Sequence, residues 1–299
     1  MTAILKNKQT SYRSIIVPPG IGDFLWTGQK LLSTGEKFHI IMPDGSPQRG
    51  HQLQQLLPDL IASHEYRPGL SYKKIANENI QNKKKQWSQI KEREFYLSAN
   101  AHLEAGRRIE EFLPDLPTTY QLTYATTDKD VSKAAKILYD NQKRYIGIYT
   151  SAYSNARNAG GWSMLEWFKL IRLIHAKNRD ICFVIIGAPY DVGITEELTE
   201  EMRKSHIPFV NTTGEPLGVV IEMMKRFSYF IGFPSGLSII NETLGKDGVM
   251  FYMKKDAGII NTWADKERIA AGSIKECLFC PPDVIFDWIK SEYQLFKNL

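Results

Sequence analysis

Short runs of β-branched and aromatic residues, each closed by glycine, proline or serine and followed by a helix-period pattern, recur along most of this chain. That alternation constrains the fold more than any other feature, because strands joined through helices pair in parallel and need helices on both faces of the sheet. The first unit sets the pattern. Ile15-Ile16-Val17 runs into Pro18-Pro19-Gly20-Ile21-Gly22-Asp23, and a helical pattern covers residues 24–32. Gly20 and Gly22 give the backbone freedom and let a ligand come close, while Asp23 falls at or next to the helix N-cap. An acid there either caps the helix or projects into the crevice at the carboxyl end of a parallel strand, where open α/β sheets bind ligands.

Strands are expected at 37–42, before the turn signal Pro43-Asp44-Gly45-Ser46-Pro47, and at 94–97. Helices are expected around His51 and the leucines of 53–60, over 103–112, and over 128–141 with Val131, Ala134, Ala135 and Leu138 on one face. The pattern restarts at Lys143. Strands at 145–150, 181–187, 208–211, 229–233 and 249–253 alternate with helices at 163–176, 194–204, 217–226 and 239–244. At 299 residues the chain can bury two cores, so the expected division is 1–142 and 143–299, with a C-terminal helix free to pack back on the first domain. The expected class is α/β, two doubly wound, Rossmann-like parallel-sheet domains facing across a cleft.

With 43% hydrophobic and 24% charged residues the chain is globular, not disordered or fibrous. No apolar run reaches the ~18 residues needed to cross a bilayer, and residues 1–13 lack the apolar centre of a signal peptide, so a cytoplasmic location is expected. Cys182, Cys277 and Cys280 make no even disulfide framework, and the single Cys-x-x-Cys lacks a second pair, which argues against zinc or redox chemistry. The net charge of +5 permits an anionic partner without requiring one. The densest basic run, Lys83-Lys84-Lys85, lies near Trp87; it reads as a solvated face or as an aromatic among lysines suited to a phosphate-bearing acceptor.

A second turn matters most in the rear half. Phe233-Pro234-Ser235-Gly236-Leu237-Ser238 is a strand-to-helix turn with small residues at the helix start, where amides and the helix dipole receive a phosphate; a plain Ser235 cap is the alternative. The first loop of that half adds Ser151, Tyr153, Ser154 and Arg157 at the same expected sheet edge, suited to a diphosphate. An NAD-dependent dehydrogenase is disfavoured, since Gly20 and Gly22 are followed by Phe24, Leu25 and Trp26 and no third glycine completes the dinucleotide fingerprint.

The Gly-x-Gly-Asp loop at 20–23, paired with strand, Ser-Gly-Leu-Ser and helix near residue 235 and with the strand ending Ile186-Gly187-Ala188-Pro189, resembles glycosyltransferase family 9, the ADP-heptose:lipopolysaccharide heptosyltransferases. The resemblance follows the order of elements over nearly the whole chain. It implies a GT-B fold, an inverting reaction without bound metal or other cofactor, an acceptor held by the N-terminal domain and a nucleotide sugar held by the C-terminal one. Carried over, Asp23 is the general base on the acceptor hydroxyl. Donor contacts fall to Gly22, Ser151, Tyr153, Ser154, Arg157, Ser235, Gly236 and Leu237, and Lys30, Arg49, His51 and Trp87 are acceptor-side candidates.

Two positions depart from the family pattern. Pro234 stands where the donor-site aspartate belongs, and Ala159-Gly160-Gly161 covers the place of a lysine before Trp162, with Arg157 the nearest substitute. A different base or sugar on the donor is the resulting expectation. The acceptor is either a bacterial surface glycan or a hydroxymethylated DNA base, as for phage-type enzymes acting in a host cytoplasm. A nucleotide-sugar epimerase of related fold and a catalytically silent sugar-nucleotide-binding protein are the alternatives.

Overall fold

The computed structural model describes residues 12–43, 47–71, 75, 86–140, 142–150, 162–233, 235–252 and 258–292. The chain divides into two compact units, Met1–His102 with Glu110–Thr118, and Leu103–Ile109 with Thr119–Leu299.

In the first unit β1 (Arg13–Ile16), α1 (Ile21–Leu31), β2 (Phe38–Pro43), α2 (Pro47–Leu56), β3 (Ile61–Arg67), β4 (Glu94–Tyr96) and α3 (Asn100–Glu104) follow in order. The strands pair in parallel in the order β3-β2-β1-β4. The chain builds outward from β1 to β3 and then returns to the other side of β1. The strand order therefore reverses between β1 and β4, which makes the turns after them the switch point of the sheet.

Several local expectations change. Helix α1 begins three residues before its apolar pattern, because Gly20 caps it in an extended conformation and Gly22 lies inside the first turn. Asp23 is thus the third helical residue. Strand β3 is absent from the sequence reading. As an edge strand it buries only Ile61 and leaves the rest half exposed, so its apolar signal is weak. The helix expected over 103–112 is instead α3, stopped at Gly106 with φ +74°, and a separate 3₁₀ turn, Ile109–Glu111.

The second unit holds α4 (Asp128–Ile137), β5 (Arg144–Tyr149), α5 (Met164–Lys177), β6 (Ile181–Ile185), α6 (Val192–Lys204), β7 (Phe209–Asn211), α7 (Leu217–Met224) and β8 (Tyr229–Gly232). After these come α8 (Gly236–Thr243), β9 (Gly248–Tyr252), α9 (Ile260–Trp263), α10 (Lys266–Ala270), β10 (Ile274–Leu278) and α11 (Pro282–Glu292). Six parallel strands pair in the order β10-β9-β8-β5-β6-β7, the doubly wound order, with its reversal between β5 and β8. Every residue of β6 is buried, as a central strand covered on both faces requires.

Although the βα pattern restarts at Lys143, α4 already goes with the second unit by its contacts and packs on α7. Only Ala134 and Leu138 of its predicted face are buried, and Val131 and Ala135 are exposed. Strand β10 and the helices after β9 extend the sheet beyond the point where the apolar pattern closes. Helix α11 packs on α5, with Ile285, Phe286 and Ile289 in the core of the second unit.

Candidate functional site

In the first unit the turn after β1 sits at the switch point. Gly20 has φ −71° and ψ 135°, an ordinary extended conformation, and has no side chain with which to cap the helix. The Asp23 carboxylate folds back over it: a Cβ placed on Gly20 would stand 2.4 Å from Asp23 Oδ2 and 3.1 Å from its Cγ. Four residues on, buried Thr27 donates through Oγ1 to the Asp23 carbonyl at 3.3 Å and accepts the Ala99 N–H at 3.1 Å. Helix α1 is thereby pinned to the loop leaving β4. That loop carries Ser98, and helix α3 after it carries Asn100 and His102, all buried polar residues, with the Asn100 N–H donating to Ser98 Oγ at 3.2 Å. The sequence reading missed them, though a run of small polar residues just past a parallel strand was the available signal.

The four acceptor-side candidates separate. Arg49 and His51 stand in the first turns of α2, which starts where β2 ends, and so share the strand-end edge with Asp23. His51 is exposed and its ring lies 6.2 Å from that of His64, while the Gly50 N–H donates to the Tyr66 hydroxyl at 2.7 Å. Lys30 lies two turns down α1, roughly 10 Å from Asp23 along the axis, and is only 1% exposed. Its ammonium donates to the Leu116 carbonyl at 2.6 Å, Thr118 Oγ1 at 3.2 Å and the Glu110 carbonyl at 3.4 Å. Burial pulls it down to about 8, against the opposing charges of Glu110 and Asp115. An ammonium so engaged is held within the fold of the first unit.

Trp87 is also placed by packing. Its N–H group on the backbone donates to Asp115 at 2.6 Å, and its ring meets Phe38 and Phe95 edge-on at 5.8 and 5.9 Å. The Arg13 guanidinium lies 4.4 Å from its centre. Arg13 and Phe38 are the first residues of β1 and β2, so Trp87 covers the start of the strands, the edge opposite Asp23. Lys83, Lys84 and Lys85 lie outside the described residues.

In the second unit Ser235 closes the turn after β8 as the cap of α8, its Oγ accepting the Leu237 N–H at 3.2 Å. Ser238 Oγ donates to the Phe233 carbonyl at 2.6 Å and tightens the same turn. Gly236 and Leu237 form the first turn of α8, which contains no acid. Tyr149, the last residue of β5, faces Ser235 across the switch point, a neighbour the sequence did not suggest. Its hydroxyl is pushed far up by burial and by Asp191 and Tyr190, so it stays protonated. At the neighbouring strand end, Asp191 Oδ2 accepts the Ala188 N–H at 2.9 Å, and burial raises its carboxyl. Ser151, Tyr153, Ser154, Arg157 and Pro234 lie outside the described residues.

Glu242, near the end of α8, is 1% exposed and pairs with Arg268. Arg268 also donates to the Glu242 carbonyl at 2.8 Å and the Lys246 carbonyl at 2.7 Å. Burial pushes the Glu242 carboxyl up to about 7 despite the guanidinium. The sequence offered no sign of this pair, whose members are 26 residues apart. Among the described residues no group of three or more His, Cys, Asp or Glu side chains is placed to hold a metal ion. No helix there is long and apolar enough to cross a membrane.

Likeness to solved structures extends along both units. E. coli ADP-heptose lps heptosyltransferase II superposes with a TM-score of 0.62 at 12% identity, over 96% of this chain and 99% of its own. A glycosyl transferase family 9 protein from Veillonella parvula gives 0.59 at 12% identity, over 94% and 89%. E. coli heptosyltransferase WaaC, solved with ADP-2-deoxy-2-fluoro heptose, gives 0.53 at 14% identity, over 94% and 100%. At such identities the likeness is one of fold, the two-domain parallel-sheet GT-B class. No curated protein matches the sequence. The family model of glycosyltransferase family 9 (heptosyltransferase) matches residues 61–281, a span that includes the Ser235 turn and begins after Asp23. With well over half of the chain inside that match, this protein is a glycosyltransferase and belongs to glycosyltransferase family 9.

Proposed function

We propose that the enzyme moves a sugar from a nucleotide-diphosphate donor to a glycan hydroxyl with inversion at the anomeric carbon. The observation that carries this reading is the first turn of α8. It lies at the switch point of the second sheet, is capped by Ser235 and contains no acid, so the positive end of the helix is open to a ligand's diphosphate. As the bond between the anomeric carbon and the diphosphate breaks, that helix end stabilises the charge gathering on the leaving oxygens, a role that needs no bound metal. The acceptor oxygen forms its bond from the opposite face, which inverts the centre. Its proton passes to Asp23, whose carboxylate lies in the first turn of α1.

The family points to ADP-heptose as the first donor to test, since WaaC was solved with ADP and with a fluorinated ADP-heptose. Pro234 in place of the family's aspartate makes a changed base or sugar the expected variation. A glycan acceptor is favoured over a DNA base because Trp87, the aromatic nearest the basic run, is engaged by Arg13, Phe38 and Phe95 at the strand-start edge. The reaction is assigned to the cytoplasm.

Nucleotide release from ADP-heptose and a panel of other nucleotide sugars, with and without a lipopolysaccharide-core acceptor, tests the proposal. Acceptor-dependent release is expected, whereas release without acceptor identifies a hydrolase or epimerase. A nucleotide diphosphate at 100 times its Kd stabilises the native state by about 2.7 kcal/mol. A thermal-shift panel in which no nucleotide diphosphate moves the melting temperature removes the donor site.

A further inference from the structure

We propose that Gly20 is a positioning residue: its missing side chain is the space in which the Asp23 carboxylate is held. The inference rests on the reading of Asp23 as the base and adds what holds that base in place. The backbone of Gly20 gives no reason for glycine, since φ −71° and ψ 135° suit any L residue and Gly20 is absent from the left-handed glycines of the chain. Space gives the reason. A Cβ at this position would come within 2.4 Å of Asp23 Oδ2, 3.1 Å of Cγ and 3.6 Å of Cβ, so the side chain lies directly on the bare Cα of the cap residue.

The helix cannot easily yield to relieve such a clash. The Phe24 N–H bonds the Gly20 carbonyl at 3.1 Å, and Thr27 ties the Asp23 carbonyl to the loop after β4. The flexible partner is the carboxylate. An alanine at position 20 would therefore keep the backbone and turn the Asp23 side chain out of its place over the Gly20 Cα.

The experiment compares Gly20→Ala, Asp23→Asn and the double variant. A crystal structure of Gly20→Ala is expected to show Asp23 in a different rotamer on an unchanged backbone, with a melting temperature close to that of the parent. With ADP-heptose, or whichever nucleotide sugar in the donor panel turns over, kcat is expected to fall at least tenfold at constant donor KM. Adding Gly20→Ala to Asp23→Asn should cost nothing further, since the space then serves no base. An unmoved Asp23 side chain in the alanine variant overturns the inference, as does parental kcat in Gly20→Ala while Asp23→Asn is impaired. Parental kcat in Asp23→Asn instead removes the base assignment, and the crystal structure still decides whether Gly20 sets the rotamer.

Discussion

Helices α1 and α8 leave the two switch points in corresponding places, yet their charges run in opposite directions. Helix α1 carries Asp23 in its first turn and Lys30 in its last, both matched to the helix dipole. Helix α8 has no acid in its first turn and holds Glu242 near its negative end, where the Arg268 guanidinium and the Asp265 N–H offset the cost. One helix N-terminus is thus furnished with an anion by its own chain, and the other is left for an anion from outside. The contrast fits the proposed division of work, proton acceptance in the first unit and diphosphate binding in the second.

Removing the internal anion should have the largest effect. Asp23→Ala is expected to lower turnover by at least ~100-fold with donor affinity nearly unchanged, because a general base acts on the transition state and not on donor binding. Steady-state kinetics with separate donor titration checks this, and a variant with normal turnover would remove the asymmetry between the helices. At the other end of α1, Lys30→Met keeps the volume of the side chain and leaves the Leu116 and Glu110 carbonyls without their charged donor. Urea denaturation should show a loss of about 2–3 kcal/mol, with donor binding by the second unit retained.

The reverse change sharpens the comparison. Gly236→Asp places on α8 an anion like the one α1 already has, and donor affinity should weaken about tenfold, or 1.4 kcal/mol, as read by calorimetric titration of the nucleotide diphosphate. Unchanged affinity would show that the diphosphate does not use this turn. The last effect concerns Glu242 and depends on pH. Its carboxyl is pushed up to about 7 from an ordinary 4.5, so folding favours the protonated form. The contribution is complete below the unfolded value and is lost as pH rises through about 7. Unfolding free energies from denaturation at the two pH values should show the parent losing about 2–3 kcal/mol relative to Glu242→Gln between pH 5 and pH 8.

What was legible in the sequence followed from local chemistry. Both switch-point turns could be read because a β-branched run, a small-residue turn and an apolar helix stripe lie next to one another in the chain. Even there the helices begin three residues earlier than their apolar stripes, since Gly22 and Gly236 read as loop residues and fold into first turns. Polar edge strand β3 and terminal strand β10 were not legible. Pairing along one edge supplies them with partners that their own residues do not announce. Lys30 and Trp87 were legible as a cation and an aromatic but not as fixed parts of the fold, because Leu116, Thr118 and Asp115, which engage them, are remote in sequence.

By itself the amino-acid order determined the α/β class, the two parallel sheets, the two turns and the presence of an acid in one of them, because each depends on residues within a turn or two of one another. Only the tertiary structure decided that the Asp23 carboxylate lies on Gly20, that Tyr149 meets Ser235, and that Lys30 and Glu242 are buried with their partners. Those facts depend on which strands become neighbours, and strand order is set by the burial of whole sheets, not by any short stretch of chain.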